Sequence, residues 1–209
     1  HGTPVTVKAE QQGLTPKESV NRYHELFVEC YLKFGLSFDL FTHTDTENHW
    51  KVAHEIFKTH LRHGYLVKDT QNQLFDKTAQ KFLPDRYVEG TCPFCASPEA
   101  RGDQCDNCGK LYDAVDLKNP RSKISGSTDL EVRATEHFFL DLKQANPGLL
   151  EWLNSRKEYL RPNVYNFTKH QLESGELRSR PITRDLDWGI SVPLDGYAGK
   201  CLYVWYEAV

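Results

Sequence analysis

Cys92-Pro93-Phe94-Cys95-Ala96-Ser97-Pro98-Glu99-Ala100-Arg101-Gly102-Asp103-Gln104-Cys105-Asp106-Asn107-Cys108 is the stretch around which this chain organises itself. It holds two Cys-x2-Cys hooks, each setting two thiolates on one tight turn. Four thiolates so placed can close a tetrahedron around Zn²⁺ at about 2.3 Å per bond. The spacing favours a metal over two disulfides or four idle thiols. Turn formers crowd both hooks: Pro93 sits inside the first, and Gly102, Asp106, Asn107 and Gly109 surround the second, so backbone amides can point at sulfur. A four-cysteine shell leaves no position open for water. The ion expected at Cys92, Cys95, Cys105 and Cys108 is therefore structural rather than catalytic. A small metal-stapled lobe follows, and no activity yet.

Composition bounds the rest. In 209 residues, hydrophobic side chains make up 39%, charged ones 26% and aromatic ones 12%, enough for a sizeable core. A net charge of −3 does not advertise nucleic-acid binding, so any basic patch must be local. No apolar run approaches the roughly 18 residues of a membrane span, and the first residues lack a signal-peptide layout. Cys30 and Cys201, far apart and flanked by apolar residues, read as buried thiols, which predicts a reducing, cytoplasmic setting. The chain contains no Met and stops at Val209 within an aromatic-rich run, so both ends read as cut from a longer product.

Periodicity supplies the elements. Val5 to Ala9 alternates briefly. Thr15-Pro16-Lys17-Glu18 is an N-cap, a first-turn proline and a capping-box glutamate. The helix it opens carries Val20, Tyr23, Phe27, Tyr31 and Phe34 at three- and four-residue steps, which predicts core packing, and Gly35 stops it. A second helix runs from Asp45 or Thr46 through Trp50, Ala53, Phe57 and Leu61 to Gly64. Beyond Gly64 the texture turns to short strands, at 65–67, at 73–75 and from Phe82 into the first hook, with another over 136–142. Pro147 is expected to open a helix and Asn163 to Leu172 to form the next. Lys200 to Trp205 reads as a buried strand. His60 and His63 lie on a helix turn rich in Lys and Arg and read as a solvated face rather than a metal pair.

Six blocks then occur in order: His1-Gly2-Thr3-Pro4, Phe82-Leu83-Pro84-Asp85-Arg86-Tyr87-Val88-Glu89-Gly90-Thr91-Cys92-Pro93, Arg101-Gly102-Asp103-Gln104-Cys105, Glu136-His137-Phe138-Phe139, Ile182-Thr183-Arg184-Asp185 and Tyr203-Val204-Trp205. Together they closely resemble the methionyl-tRNA synthetases, a class I aminoacyl-tRNA synthetase family, over the whole chain. The resemblance implies an α/β fold: part of a split Rossmann-like catalytic domain carrying an inserted, β-rich zinc-knuckle connective-peptide domain. On that reading residues 1–63 end the first Rossmann half, 64–200 are the connective peptide with its knuckle at 92–108, and 201–209 begin the second half. It implies ATP with Mg, methionine and tRNA(Met) as substrates and partners, neither membrane nor DNA, and one structural zinc. The ATP-binding HIGH motif is expected before His1, as is the acidic residue that holds the methionine amino group, and KMSKS after Val209, so these residues alone should be inactive.

Residue by residue, Trp205 matches the family's methionine-pocket tryptophan, with Ala208 and Val209 on the same wall, although many members have proline at the position of Val209. Arg184 matches an arginine needed near the activated amino acid. Members with two knuckles carry a second cysteine set around Asp76, Ala79, Ser122 and Ser125, none of which is cysteine here, so the chain reads as a single-knuckle form. Two rival readings remain. A free-standing zinc-ribbon module for RNA or protein would have no need of Ile182–Asp185 or Tyr203–Trp205. A synthetase for valine, leucine or isoleucine would need a longer insertion than 64–200.

Overall fold

Thr15 begins the first helical hairpin as its sequence predicts. Its Oγ1 accepts from the Glu18 amide at 3.2 Å while the Glu18 carboxylate accepts from the Thr15 amide at 2.8 Å, satisfying two orphan donors of α2 (Pro16–Lys33). The computed structural model describes every residue of 1–209 except Glu176, Arg178 and Val209, and of Asp85 the backbone alone. Before α2 stands a helix that the brief alternation at Val5–Ala9 does not announce, α1 (Thr3–Gln11), with Pro4 in its first turn and Ala9 buried. α3 (Glu47–Arg62) is capped by Thr46, whose Oγ1 accepts from the His49 amide at 3.3 Å, and it buries Ala53 and Phe57 one turn apart.

The aromatic stripe of α2 does not become core. Phe27 and Phe34 are exposed, Phe34 by 82%, and Leu32, Leu36, Phe38 and Leu40 continue an open apolar surface past the helix end. Helical spacing establishes that one face is apolar, and says nothing of whether another element covers it. α2 packs against α1, and Ser19 is its buried residue.

The sheet is built on one long antiparallel pair. β1 (Leu66–Asp76) and β6 (Leu130–Leu140) run in register from Leu66↔Leu140 to Asp76↔Leu130. Sequence suggested two short strands with a break over Lys68–Asn72. The ladder instead passes straight through, because pairing satisfies the backbone of a polar, solvent-facing stretch as well as that of an apolar one. β2 (Lys81–Phe82) and β7 (Arg180–Pro181) flank the pair in the order β2-β1-β6-β7. A second sheet, β4-β3-β5, joins β3 (Val88–Thr91), β4 (Ala100–Arg101) and β5 (Lys118–Ser122) around the cysteine hooks. Gly90 is required there, since a Cβ would lie 2.9 Å from the Lys118 carbonyl oxygen. α4 (Leu142–Ser155) starts before Pro147, because Asp141 caps it by accepting from the amides of Lys143 and Gln144. Pro147 therefore sits inside the helix. α5 (Pro162–Glu173) packs on α4 through Leu153, Tyr165 and Leu172.

The closing run corrects the buried-strand expectation. β8 (Thr183–Arg184) pairs with β9 (Cys201–Leu202), and the ladder ends where the Tyr203 amide bonds the Ile182 carbonyl at 2.8 Å. The Tyr203 carbonyl then accepts from Tyr206 and Glu207, and the chain winds into α6 (Val204–Glu207). Trp205 stands on that turn, 77% exposed. Tyr-Val-Trp has strand composition, but composition does not distinguish a strand from a turn of helix this short.

Two cores result. Ala53 and Phe57 of α3 meet Leu66, Phe138, Ile182, Ile190, Val192, Tyr197 and Leu202, with Phe57 edge-on to Phe138 at 5.2 Å. Truncating either ring to alanine would cost about 3–5 kcal/mol on the general scale for buried phenylalanines. The lobe has its own cluster, Leu74, Leu83, Tyr87, Val88, Ala100 and Leu117 around Cys92 and Cys105. The first and last described turns meet: His1 Nδ1 lies 2.6 Å from Glu207 Oε1. Cys201 is buried as expected, whereas Cys30 is exposed, because its flanking apolar residues belong to the uncovered face of α2.

Candidate functional site

Each cysteine hook is one turn closed by a carbonyl bond and ended by a left-handed residue. Ala96 N–H donates to the Cys92 carbonyl at 3.1 Å with Ala96 at φ 57°, and Gly109 N–H donates to the Cys105 carbonyl at 2.8 Å with φ 70°. The Phe94 amide points at Cys92 Sγ (3.4 Å) and the Asn107 side-chain amide at Cys95 Sγ (3.5 Å). The four sulfurs lie within 4.8 Å of one another, with Cys92–Cys108 at 3.9 Å and Cys95–Cys105 at 3.6 Å. A regular tetrahedron with about 2.3 Å metal–sulfur bonds has edges of about 3.8 Å. A disulfide would need about 2.05 Å, so the four thiols are arranged for an ion and not for one another. The Asn107 amide, helped by the Ser97 backbone, holds the Cys95 thiol down at about 6. At Cys108 the Lys110 backbone is outweighed by burial and the other three thiols, which push the thiol up to about 11, so the four share their protons unequally.

A second turn pair repeats this geometry without sulfur. Gln80 (φ 53°) and Gly126 (φ 73°) follow Asp76 and Ser122 by four residues, as Ala96 and Gly109 follow Cys92 and Cys105. Gly126 N–H donates to the Ser122 carbonyl at 3.0 Å. Asp76 Oδ1 accepts from the amides of Thr78 (2.8 Å) and Ala79 (3.0 Å), Ser122 Oγ accepts from those of Ile124 and Ser125, and the Ser125 hydroxyl donates to Asp76 Oδ2 at 2.6 Å. Asp76 and Ser122 are buried. Burial works against the Asp76 charge. The Ser122 and Ser125 hydroxyls and the Ala79 and Thr78 amides more than offset it and hold the carboxyl below its ordinary value. Sequence reasoning read Asp76, Ala79, Ser122 and Ser125 as an implausible zinc site. It did not see that the turns persist, with oxygen acceptors facing amides where the first pair has thiols.

The remaining candidates are split between inside and outside. Arg184 is buried, its Nη1 donates to the carbonyls of Pro181 and Thr183 at 3.0 Å each, and its guanidinium stacks 4.0 Å over the Tyr203 ring. Trp205 and Ala208 are both exposed, three residues apart on the α6 turn and therefore on neighbouring positions of one face. Val209 lies outside the described residues. A cleft of about 650 Å³ opens elsewhere, between α1, β2 and the 185–188 loop, lined by Thr6, Phe75, Phe82, Tyr87 and Trp188 among others, and it includes neither Trp205 nor Ala208.

Two polar clusters were not read from sequence as clusters, although their members lie in the quoted blocks or beside them. His137, fully buried, faces Asp185 (Nε2–Oδ2 3.2 Å) and Thr183 Oγ1 (3.0 Å). Asp185 also accepts from the Thr135 hydroxyl at 2.8 Å and from the Lys200 ammonium. Burial pulls the His137 imidazole below its ordinary value, and Asp185 raises it in part. Burial opposes the Asp185 charge, but His137, Lys200 and Thr135 outweigh that and keep the carboxyl low. This network ties β6 to the turn after β8, directly behind Arg184. His60, taken from sequence as a solvated residue, is half-buried and bonds the Tyr206 hydroxyl through Nδ1 at 2.9 Å.

Against known proteins, the whole of residues 1–209 matches the model of the family described as "tRNA synthetases class I (M)". The chain is 52% identical over its full length to a protein named methionine–tRNA ligase from Thermomicrobium roseum, and 50% identical to one from a Roseiflexus species. It spans 35% and 36% of those relatives. Among solved structures, that of Mycobacterium tuberculosis methionyl-tRNA synthetase bound by methionyl-adenylate superposes with a TM-score of 0.66 at 18% identity, over all of this chain and 36% of that one. At that identity the superposition supports the mixed α/β fold alone. The match to the family model and the identities of about one half over every residue place this chain in the class I tRNA synthetase (M) family, of whose curated members it spans about a third.

Proposed function

We propose that the chain is the connective-peptide portion, with its flanking Rossmann edges, of a methionine–tRNA ligase. The observation that carries this is the unbroken match of all 209 residues to methionine–tRNA ligases at about half identity. In the enzyme so inferred, methionine is activated with Mg-ATP to the adenylate, and the methionyl group passes to the terminal ribose of tRNA(Met). The setting is the cytoplasm; no described helix is long and apolar enough to cross a membrane. Residues 1–63 and 201–209 belong to the two Rossmann halves and 64–200 to the insertion. The separate core around the hooks, its buried residues drawn wholly from 74–117, supports a distinct insertion. The core in which α3 meets β9 takes six of its nine buried residues from 64–200 and so joins the insertion to its flanks.

This chain's residues have three roles on that reading. Cys92, Cys95, Cys105 and Cys108 hold one Zn²⁺ that staples the lobe, since the sulfur separations match a four-thiolate shell that leaves no open position. Trp205 and Ala208, with Val209, form part of the wall for the methionine side chain. An exposed indole face suits a polarizable thioether, such contacts contributing about 0.3–1.5 kcal/mol. Arg184, held in place by two carbonyls and the Tyr203 ring, presents fixed positive charge behind that wall, where a charged reactant needs preorganised stabilisation.

The test is methionine-dependent ATP–pyrophosphate exchange by the ligase that contains this chain. Trp205→Ala should raise the methionine KM by about tenfold or more while the ATP KM stays within about twofold, the signature of lost binding to one substrate. An unchanged methionine KM refutes the pocket assignment. The chain by itself should support no exchange, and robust exchange by these residues alone would refute the reading of them as one part of the active enzyme.

A further inference from the structure

Trp205 is presented largely to solvent, so its position depends on the residues either side. The next two both reach back into the molecule. Tyr206 places its hydroxyl 2.9 Å from His60 Nδ1, in the last turn of α3. Glu207 buries its carboxylate completely, with Oε1 2.6 Å from His1 Nδ1 and Oε2 3.7 Å from His49 Nε2, in the first turn of α3. His1 is equally buried, its ring edge-on to Trp188 at 5.3 Å and to Trp50 at 6.2 Å, and its Nε2 lies 3.8 Å from Asp45.

A fully buried carboxylate with a single hydrogen bond is an expensive feature, since an unpaired buried charge is strongly destabilising. His1 Nε2, His49 Nε2 and Glu207 Oε2 have no hydrogen-bond partner among the described residues, and Trp188 Nε1 beside them has none either. Stability alone would be served as well by an apolar side chain at this position. What Glu207 does that an apolar residue cannot is define one geometry: its bond to His1 sets both the rotation and the reach of α6 against the start of α1 and of α3.

We propose that Glu207 and His1 form a latch that positions α6, so that Glu207 is a positioning residue for the Trp205 and Ala208 wall. The relevance to substrate rests on the methionine-pocket reading given above; the latch itself does not. Tyr206 and His60 supply a second, parallel tether, which prevents α6 from detaching when the latch opens and lets it tilt instead.

The experiment labels the ligase that contains this chain with 5-fluorotryptophan and reads the ¹⁹F resonances of the four tryptophans these residues contribute, each assigned by its Trp→Phe variant. Glu207→Gln keeps the volume and an acceptor oxygen for His1, whereas Glu207→Leu keeps the volume without the acceptor. The latch predicts that the Trp205 resonance stays near its wild-type position in the glutamine variant. In the leucine variant it should shift or broaden, while that of distant Trp152 stays unmoved in both. His1→Ala should move the Trp205 resonance as Glu207→Leu does, and the double variant should move it no further, the non-additivity expected of two residues sharing one bond.

Identical Trp205 resonances in the glutamine and leucine variants, additive shifts, or collapse of all four signals in both Glu207→Leu and His1→Ala would each overturn the proposal. In the ligase, Glu207→Leu should raise the methionine KM several-fold with little change in the ATP KM, and Glu207→Gln should restore it. If Trp205→Ala leaves the methionine KM unchanged while the ¹⁹F pattern holds, the pocket reading fails and the latch stands. If Trp205→Ala raises it while the ¹⁹F pattern is absent, the latch fails and the pocket stands.

Discussion

Asp76→Ala is the substitution that most directly tests the sulfur-free turn pair. Asp76 Oδ1 and Oδ2 together accept from the Thr78 and Ala79 amides and the Ser125 hydroxyl, all at 3.0 Å or less, and the residue is fully buried. Removing the carboxylate leaves those donors facing a small cavity, each unsatisfied buried donor costing about 1–3 kcal/mol. Some of that returns because a charge no longer has to be buried, so a net loss of about 3 kcal/mol is expected. Asp76→Asn keeps an acceptor for the two amides and should cost about 1 kcal/mol, one weakened hydrogen bond.

Urea unfolding measures the global loss, and amide exchange of Thr78 and Ala79 measures the local one. The pH dependence carries its own sign. The folded carboxyl lies below its ordinary value of 3.8, so its contribution is complete above that value. It is lost as pH falls below 3.8 and through the folded value, and Asp76→Ala should lack that part of the acid sensitivity. A stability change under about 0.5 kcal/mol, the range of ordinary surface substitutions, with unchanged exchange at Thr78 and Ala79, would refute the claim that hydrogen bonds hold this turn pair.

The other tests are shorter. Elemental analysis should return about one zinc per chain, and Cys105→Ser should lower it and loosen the lobe while the helical circular dichroism is largely kept, because the metal folds a local unit; a value near zero in the unaltered chain would remove the site. His137 has its folded value pushed below the ordinary 6.5 by burial, so the unfolded chain takes up a proton first and stability falls as pH drops below about 6.5. Asp185, also low, adds a further loss below 3.8. His137→Gln should flatten the first fall. It should not abolish it, since burial also lowers His43 and His60; an unchanged slope would contradict the buried neutral imidazole.

What could be read from sequence divides along a physical line. The hooks, the Thr15 cap, the helix start at Asp45 or Thr46 and the glycine stops at Gly35 and Gly64 are local: each is settled by residues within four or five positions, and the structure keeps them, with Thr46 as the second cap. Two failures are local as well, the unannounced helix α1 and the start of α4 at the Asp141 cap rather than at Pro147, and the others concern what lies opposite. The α2 stripe is apolar at the right spacing, yet coverage depends on an element that spacing does not contain. The polar stretch 68–72 looked like a break because β6, sixty residues away, was not yet there to pair with it. Tyr203 to Trp205 looked like the end of a strand because the aromatic run is judged by composition, while its course is decided by the Ile182 carbonyl that ends the ladder.

The same distinction explains why the candidate residues were legible and their supports were not. The four cysteines carry chemistry by residue type and spacing, whereas Arg184 and Trp205 became candidates only through the resemblance of the short blocks that hold them. His1 with Glu207, and His137 with Asp185 and Lys200, are ordinary as single letters and become informative only when the fold brings them within hydrogen-bonding distance. Both clusters stand directly behind an exposed or charged candidate: Glu207 two positions after Trp205, and Asp185 next to Arg184. Buried polar networks are costly to assemble and intolerant of partial loss, the one at Glu207 the more so because Glu207 Oε2 and His1 Nε2 lack a hydrogen-bond partner among the described residues. Placed next to Arg184 and two residues from Trp205, with Thr183 Oγ1 also accepting from the Phe138 amide at 3.1 Å, they are where a lost hydrogen bond would most directly move those two candidate side chains.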